Sequence, residues 1–116
     1  MVLNRNLKNG NTIKATFEKN NKTKIIENFI VEVTKKIKPF GPLNFQLCLT
    51  KKGPVIFEIN PRFSGTTPLR ANFGINEIQI LLSSIENKKI NKVQLKEGTI
   101  YRYFSDFFIK KGHYYI

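Results

Sequence analysis

Four side chains in one short window carry the chemistry: Gln46, Glu58, Asn60 and Arg62. Gln46 stands in LNFQLCL, and the other three follow one another in VIFEINPR. They offer three oxygen-bearing side chains and one guanidinium. One carboxylate with two amide carbonyls suits a hard cation such as Mg²⁺, which takes one or two carboxylates and completes its shell with phosphate oxygens and water. Arg62, two residues past Asn60, adds a planar fork that matches phosphate or carboxylate. Together the four describe a site for a metal-bound polyphosphate. Spacing alone leaves the plain alternative open: a structural network in which Glu58 pairs with a lysine and Gln46 bonds to a loop.

Two strands must position these groups. Leu43, Phe45, Leu47 and Leu49 alternate with Asn44, Gln46 and Cys48, and Val55, Phe57 and Ile59 alternate with Ile56, Glu58 and Asn60. Thr50 to Pro54 reads as the hairpin loop between them. Pairing Leu49 with Val55, Leu47 with Phe57 and Phe45 with Ile59 matches the apolar faces. The same register sets Gln46 across from Glu58 and Asn44 across from Asn60, about 5 Å apart. A slip of one residue would turn an apolar set to the wrong face. The loop from Pro61 to Pro68 contains Ser64-Gly65-Thr66-Thr67, which offers hydroxyls and backbone N–H groups.

The rest of the chain reads as support. Residues 2–18 form a hairpin turning at Asn9-Gly10, with Ile13, Ala15 and Phe17 on one face. Thr23 is the expected N-cap of a helix whose stripe is Ile25, Ile26, Phe29, Ile30, Val33 and Ile37; the spacing predicts that this stripe packs into a core. Lys35, Lys36 and Lys38 suit its last turn, and Pro39 ends it. Pro68 to Phe73 is one short helical turn closed by Gly74. Asn76 caps a second main helix, with Gln79 at capping-box spacing and Ile78, Leu81, Leu82 and Ile85 as the expected buried stripe. A lysine-rich connector follows, with a short strand expected around Val93 to Leu95. Thr99 to Ile109 is strand-like. The expected fold class is α+β: a mainly antiparallel sheet of about five strands packed by two helices.

The chain has 116 residues, enough for one domain, and is 41% hydrophobic, an ordinary fraction for a globular protein. Its formal charge is +12. Lysine, asparagine and isoleucine are all frequent, and the lysines are scattered in ones and twos. That pattern fits A/T-rich codon usage better than a nucleic-acid groove, so weak polyanion affinity is expected and nucleic-acid binding is not the expected function. No apolar run is long enough for a transmembrane helix, and no secretory h-region follows Met1. The single cysteine, Cys48, excludes an internal disulfide, and a reducing cytoplasm is the expected compartment. Cys48 reads as a small packed hydrophobe. His113 has no partner pattern. The cluster Tyr101, Tyr103, Phe104, Phe107 and Phe108 reads as core or interface.

The run GPLNFQ…FEINPRFSGTTPLRANFGINE resembles the C-terminal part of the ATP-grasp fold. It is most similar to the carbamoyl-phosphate synthase large subunit and its carboxylate–amine ligase relatives. A Gly-Pro-x-Asn-x-Gln strand followed by a Glu-x-Asn-Pro-Arg strand end carries the resemblance, most strongly over residues 41–77. Arg5 to Gly10 (Arg-x-Leu-x-x-Gly) and Gly98 to Tyr103 (Gly-x-x-x-Arg-Tyr) extend it. The resemblance implies that Gln46, Glu58 and Asn60 hold the Mg²⁺ (or Mn²⁺) ions that bridge the ATP phosphates. It implies that Arg62 contacts both the nucleotide phosphates and the transferred phosphoryl group, as the catalytic residue. A glutamine at the first metal position, where many relatives carry an acid, is the carbamoyl-phosphate-synthase type. Ser64, Gly65, Thr66 and Arg70 are implied near a small carboxylate or amine substrate. Arg5 and Arg102 are candidates to face the same cleft, or are plain strand arginines.

The implied reaction is ATP-dependent activation of a carboxylate to an acyl phosphate, as in carbon–nitrogen ligases. The family's N-terminal lobe, with its phosphate-binding lysine and Gly-rich loop, and the domain preceding it have no counterpart in these residues. The expectation is therefore one C-terminal lobe over residues 1–116, a fragment or split subunit too short to turn over alone. It would be completed by an N-terminal lobe or a second copy. Two other readings stand beside this one: a non-catalytic remnant serving as an interaction module, and a weak polyanion binder.

Overall fold

Asn9 and Gly10 set the first hairpin. Their φ values of 49° and 76° are those of a two-residue turn whose twist matches paired strands. The turn joins β1 (Asn4–Lys8) to β2 (Asn11–Phe17), antiparallel, with a register shift between Asn6 and Leu7. The computed structural model describes residues 1–90 and 92–103. Within them follow α1 (Asn21–Ile37), β3 (Asn44–Thr50), β4 (Gly53–Asn60), α2 (Thr67–Asn72), α3 (Glu77–Ile85) and β5 (Gly98–Tyr101). The fold is α+β with antiparallel sheets, in keeping with the expected class. Phe104, Phe107, Phe108, His113 and the strand expected beyond Tyr103 lie outside the described residues.

The five strands divide into two sheets. β1-β2-β5 is one, and β3-β4 is the other. β2 is central in its sheet because β5 pairs along its far edge, where the Thr16 and Thr99 hydroxyls meet at 3.0 Å. The core forms on this central strand. Ala15 and Phe17 are fully buried against Leu69 and Phe73, with Leu3, Leu95 and Ile100 around them. The Phe17 and Phe73 rings tilt against each other at 5.9 Å, a favoured aromatic geometry.

Helix α1 starts one turn earlier than Thr23. Asn20 is the N-cap and accepts from Thr23 N at 3.0 Å, while Thr23 Oγ1 accepts from Asn20 N at 2.9 Å. A threonine thus takes the place of the usual glutamate or glutamine in a reciprocal capping box. Lys38 ends the helix at φ 51°, its N–H bonded to Thr34 O, before Pro39. The stripe is less buried than its periodicity predicts. Ile26 alone is buried, Phe29, Ile30 and Val33 are half-buried, and Ile25 and Ile37 are exposed. The reason is a cavity of about 830 Å³ between α1 and the strands, lined by Ile26, Ile30, Phe45 and Leu47 and also by Arg5 and Arg70.

The stripe of α3 departs further: Ile78, Leu82 and Ile85 are each 50–55% exposed. Asn76 does cap this helix, accepting from Gln79 N at 3.1 Å. α3 follows α2 with one short turn; of its stripe Leu81 is half-buried, while the other three side chains stand open. Residues 93–95 form no strand; the connector instead crosses Gly74, and Lys96 N bonds to Phe73 O at 3.0 Å.

Candidate functional site

The β3-β4 register holds the site together. Asn44 pairs with Asn60, Phe45 with Ile59, and Gln46 with Glu58, as the apolar alternation predicts. Beyond Gln46 the register shifts by one: Leu47 pairs with Ile56, and Thr50 with Gly53. Phe57 is left without a partner, a bulge directly beside Glu58. The cause lies at the turn. Thr50 Oγ1 donates to Gly53 O and accepts from Lys52 N, and Gly53 adopts φ 113°, so the loop closes in two residues rather than the longer span expected. The bulge absorbs that difference, so the faces stay matched at the site end and shift only at the turn end.

Three of the four expected residues are joined by direct hydrogen bonds. Gln46 Nε2 donates to Glu58 Oε2 at 2.5 Å, and Asn60 Nδ2 donates to Glu58 Oε1 at 2.5 Å. Gln46 and Asn60 are half-buried, and Glu58 is exposed. The carboxylate therefore keeps solvent contact and accepts one amide on each oxygen. Among the described residues it is not paired with a lysine, the partner that the structural alternative requires.

Arg62 is placed by a three-residue turn over Pro61, in which its N–H bonds to Asn60 O at 2.9 Å. Its guanidinium is exposed and donates to Phe63 O at 3.1 Å. Proline at the strand end cannot donate to a ladder, so the chain leaves the sheet there and the arginine follows at once.

Arg5 completes the group from the other sheet. Its Nη2 donates to Gln46 Oε1 at 2.8 Å, and its Nη1 lies 3.4 Å from Thr12 Oγ1. Among the described residues this is the side-chain hydrogen bond that joins the two sheets. Sequence reasoning leaves Arg5 undecided between cleft and surface, because hairpin-to-hairpin contact has no signal in local spacing.

The loop residues expected near a substrate are largely satisfied internally. Ser64 Oγ and Thr66 Oγ1 are 2.6 Å apart, and Thr66 N donates to Ser64 Oγ at 3.1 Å. Gly65 O accepts from Arg102 Nη2 at 2.7 Å, so Arg102 pins the loop. Arg70 forms an ion pair with Glu77, whose other oxygen accepts from Thr67 Oγ1 at 2.7 Å. Arg70 Nε is buried without a hydrogen-bond partner among the described residues. Nearby, burial above all holds the Met1 amino group below its usual pKa; Arg70 adds to this, while Glu27 and Glu77 oppose it. Glu77 has no place among the sequence-derived site residues, although its capping position after Asn76 is visible in the chain.

Among the described residues no three His, Cys, Asp or Glu side chains cluster. A cation here would rest on one carboxylate and amide oxygens, with outside oxygens completing its shell. That donor set fits Mg²⁺ carried by phosphates rather than a protein-caged metal. Among the described residues no helix is long and apolar enough to cross a membrane.

A family model described as "ATP-grasp in the biosynthetic pathway with Ter operon" matches residues 2–107. No curated protein and no solved structure matches the chain. The match spans every element described above, and the chain belongs to the ATP-grasp family.

Proposed function

We propose that this chain supplies the metal and phosphate side of an ATP-grasp ligase of the carbamoyl-phosphate-synthase type. The observation that carries the reading is the Gln46–Glu58–Asn60 network, with Arg5 bonded to Gln46 and Arg62 at the adjoining strand end. Glu58, Asn60 and Gln46 would hold Mg²⁺, and Arg62 would meet the transferred phosphoryl group. A bound Mg²⁺ would offset the charge of the ATP phosphates. The reaction class is attack of a substrate carboxylate on the terminal phosphorus with release of ADP, then displacement of phosphate from the acyl phosphate by an amine. The chain's own share is positioning and charge stabilisation. The cavity bounded by Arg70 and Thr66 is the place for a small carboxylate or amine substrate. The exposed apolar side chains of β4 and α3 favour a covering lobe or second copy in the working enzyme.

Paramagnetic Mn²⁺ tests the reading without turnover. With Mn²⁺ and millimolar ATP, the side-chain amide NMR signals of Gln46 and Asn60 should broaden selectively. Glu58→Gln and Asn60→Ala should each weaken this by more than about 10-fold, the loss that even outer-shell changes bring. Uniform broadening across the lysine-rich surface, unchanged in Glu58→Gln, would instead support simple polyanion attraction.

A further inference from the structure

Arg5, Gln46 and Glu58 form a chain in which the middle group has only one workable orientation. A guanidinium can only donate, and an ionised carboxylate can only accept. The amide between them must turn its carbonyl to Arg5 and its NH₂ to Glu58, as found at 2.8 Å and 2.5 Å. Asn60 gives its own NH₂ to the other carboxylate oxygen. Both oxygens of Glu58 thus accept amide N–H groups. The Gln46 carbonyl points to Arg5 instead of to Glu58.

For Gln46 and Glu58 to share a cation, the amide must rotate by half a turn. That rotation takes its oxygen off Arg5. A dication and a guanidinium held at one amide would also repel each other strongly in a half-buried setting. Arg5–Gln46 bonding and cation binding by Gln46 therefore exclude each other. The guanidinium is left beside the site with its Nη2 freed while Nη1 stays near Thr12, and a charged N–H donor of this kind suits a phosphate oxygen.

We propose that Arg5 is a ligand-selecting residue. It holds Gln46 closed to a bare divalent cation, and when a cation–polyphosphate complex enters, it transfers from Gln46 to the phosphate. The site then discriminates for the complex over the free cation. This inference rests on the reading of Glu58 and Gln46 as cation ligands.

The test uses the 116-residue chain. Mn²⁺ binding is measured by electron paramagnetic resonance, with and without inorganic tripolyphosphate. Arg5→Met is expected to tighten binding of Mn²⁺ alone and to weaken binding of Mn²⁺–tripolyphosphate by about 10-fold, the loss of one charge-assisted contact. The preference for the complex therefore falls by more than that factor. Arg5→Lys, which keeps the charge and loses the fork, should fall between wild type and Arg5→Met, and it carries the test if Arg5→Met does not fold. Equal weakening of both ligands, or no change in either, overturns the proposal and leaves Arg5 as a tie between sheets. Glu58→Gln separates the two failures. If it abolishes binding of the complex while Arg5→Met changes nothing, only the role of Arg5 falls. If it too changes nothing, the cation site itself falls.

Discussion

Glu58 carries the negative charge of the site, and its two oxygens are already engaged by amides. Its neighbours therefore decide what it can bind. Gln46→Glu would place a second carboxylate directly across the strand pair, where Arg5 can bond it. Cation affinity at oxygen sites follows the number of charged ligands. We expect Gln46→Glu to tighten Mn²⁺ binding by about 10-fold in the absence of phosphate, a change of about 1.4 kcal/mol. Titration with Mn²⁺ would show it, and an unchanged affinity would place the cation away from Gln46. At the same scale, Arg102 holds the Gly65 carbonyl, so Arg102→Ala should loosen the Ser64–Thr67 loop without touching the Glu58 network. Amide hydrogen exchange at Thr66 and Thr67 should rise, while the Gln46 side-chain amide signal stays in place.

The elements are set by local devices with measurable worth. The Asn20–Thr23 capping box starts α1, and Asn20→Ala should cost about 1 kcal/mol in urea unfolding. Gly74 combines φ 102° with a backbone crossing: a Cβ there would meet Gln94 O at 2.2 Å. Gly74→Ala must therefore displace the connector that leads to β5, and should cost more than about 2 kcal/mol. A loss below about 1 kcal/mol, less than a positive φ alone costs an alanine, would show that the connector moves freely. These devices were legible because each is written within a few residues: Asn-Gly for the turn, Asn76 with Gln79 for α3, Pro39 for the end of α1. Thr23 has the side chain of a cap and does bond backbone, but it acts from position N3 in return for Asn20, which is the cap.

At the scale of the whole fold, the buried apolar set among the described residues is small. Ala15, Phe17, Leu69 and Phe73 form one cluster, with Ile26 buried apart from it. Phe17→Ala removes the largest fully buried side chain among the described residues and should cost about 3–5 kcal/mol. Native domains are stable by about 5–15 kcal/mol, so the variant should lose a large fraction of its stability, read as a lower urea midpoint by circular dichroism. The exposed stripes of α1 and α3 have the opposite meaning. Their spacing predicts burial, yet no described element covers Ile78, Leu82 and Ile85. Periodicity reports which face of a helix is apolar and not whether a partner lies against it.

Local sequence sets the hairpins, the Asn76 cap of α3, the site end of the β3-β4 register and the sharing of one face by Gln46, Glu58 and Asn60. Those follow from backbone preferences and alternation acting over a few residues. Tertiary structure alone decided that the strands split into two sheets, that a bulge at Phe57 absorbs the tight turn, and that Arg5 crosses from one sheet to hold Gln46 in the other. Residues 5 and 46 meet only once both hairpins are packed, and no local preference of either segment encodes that meeting.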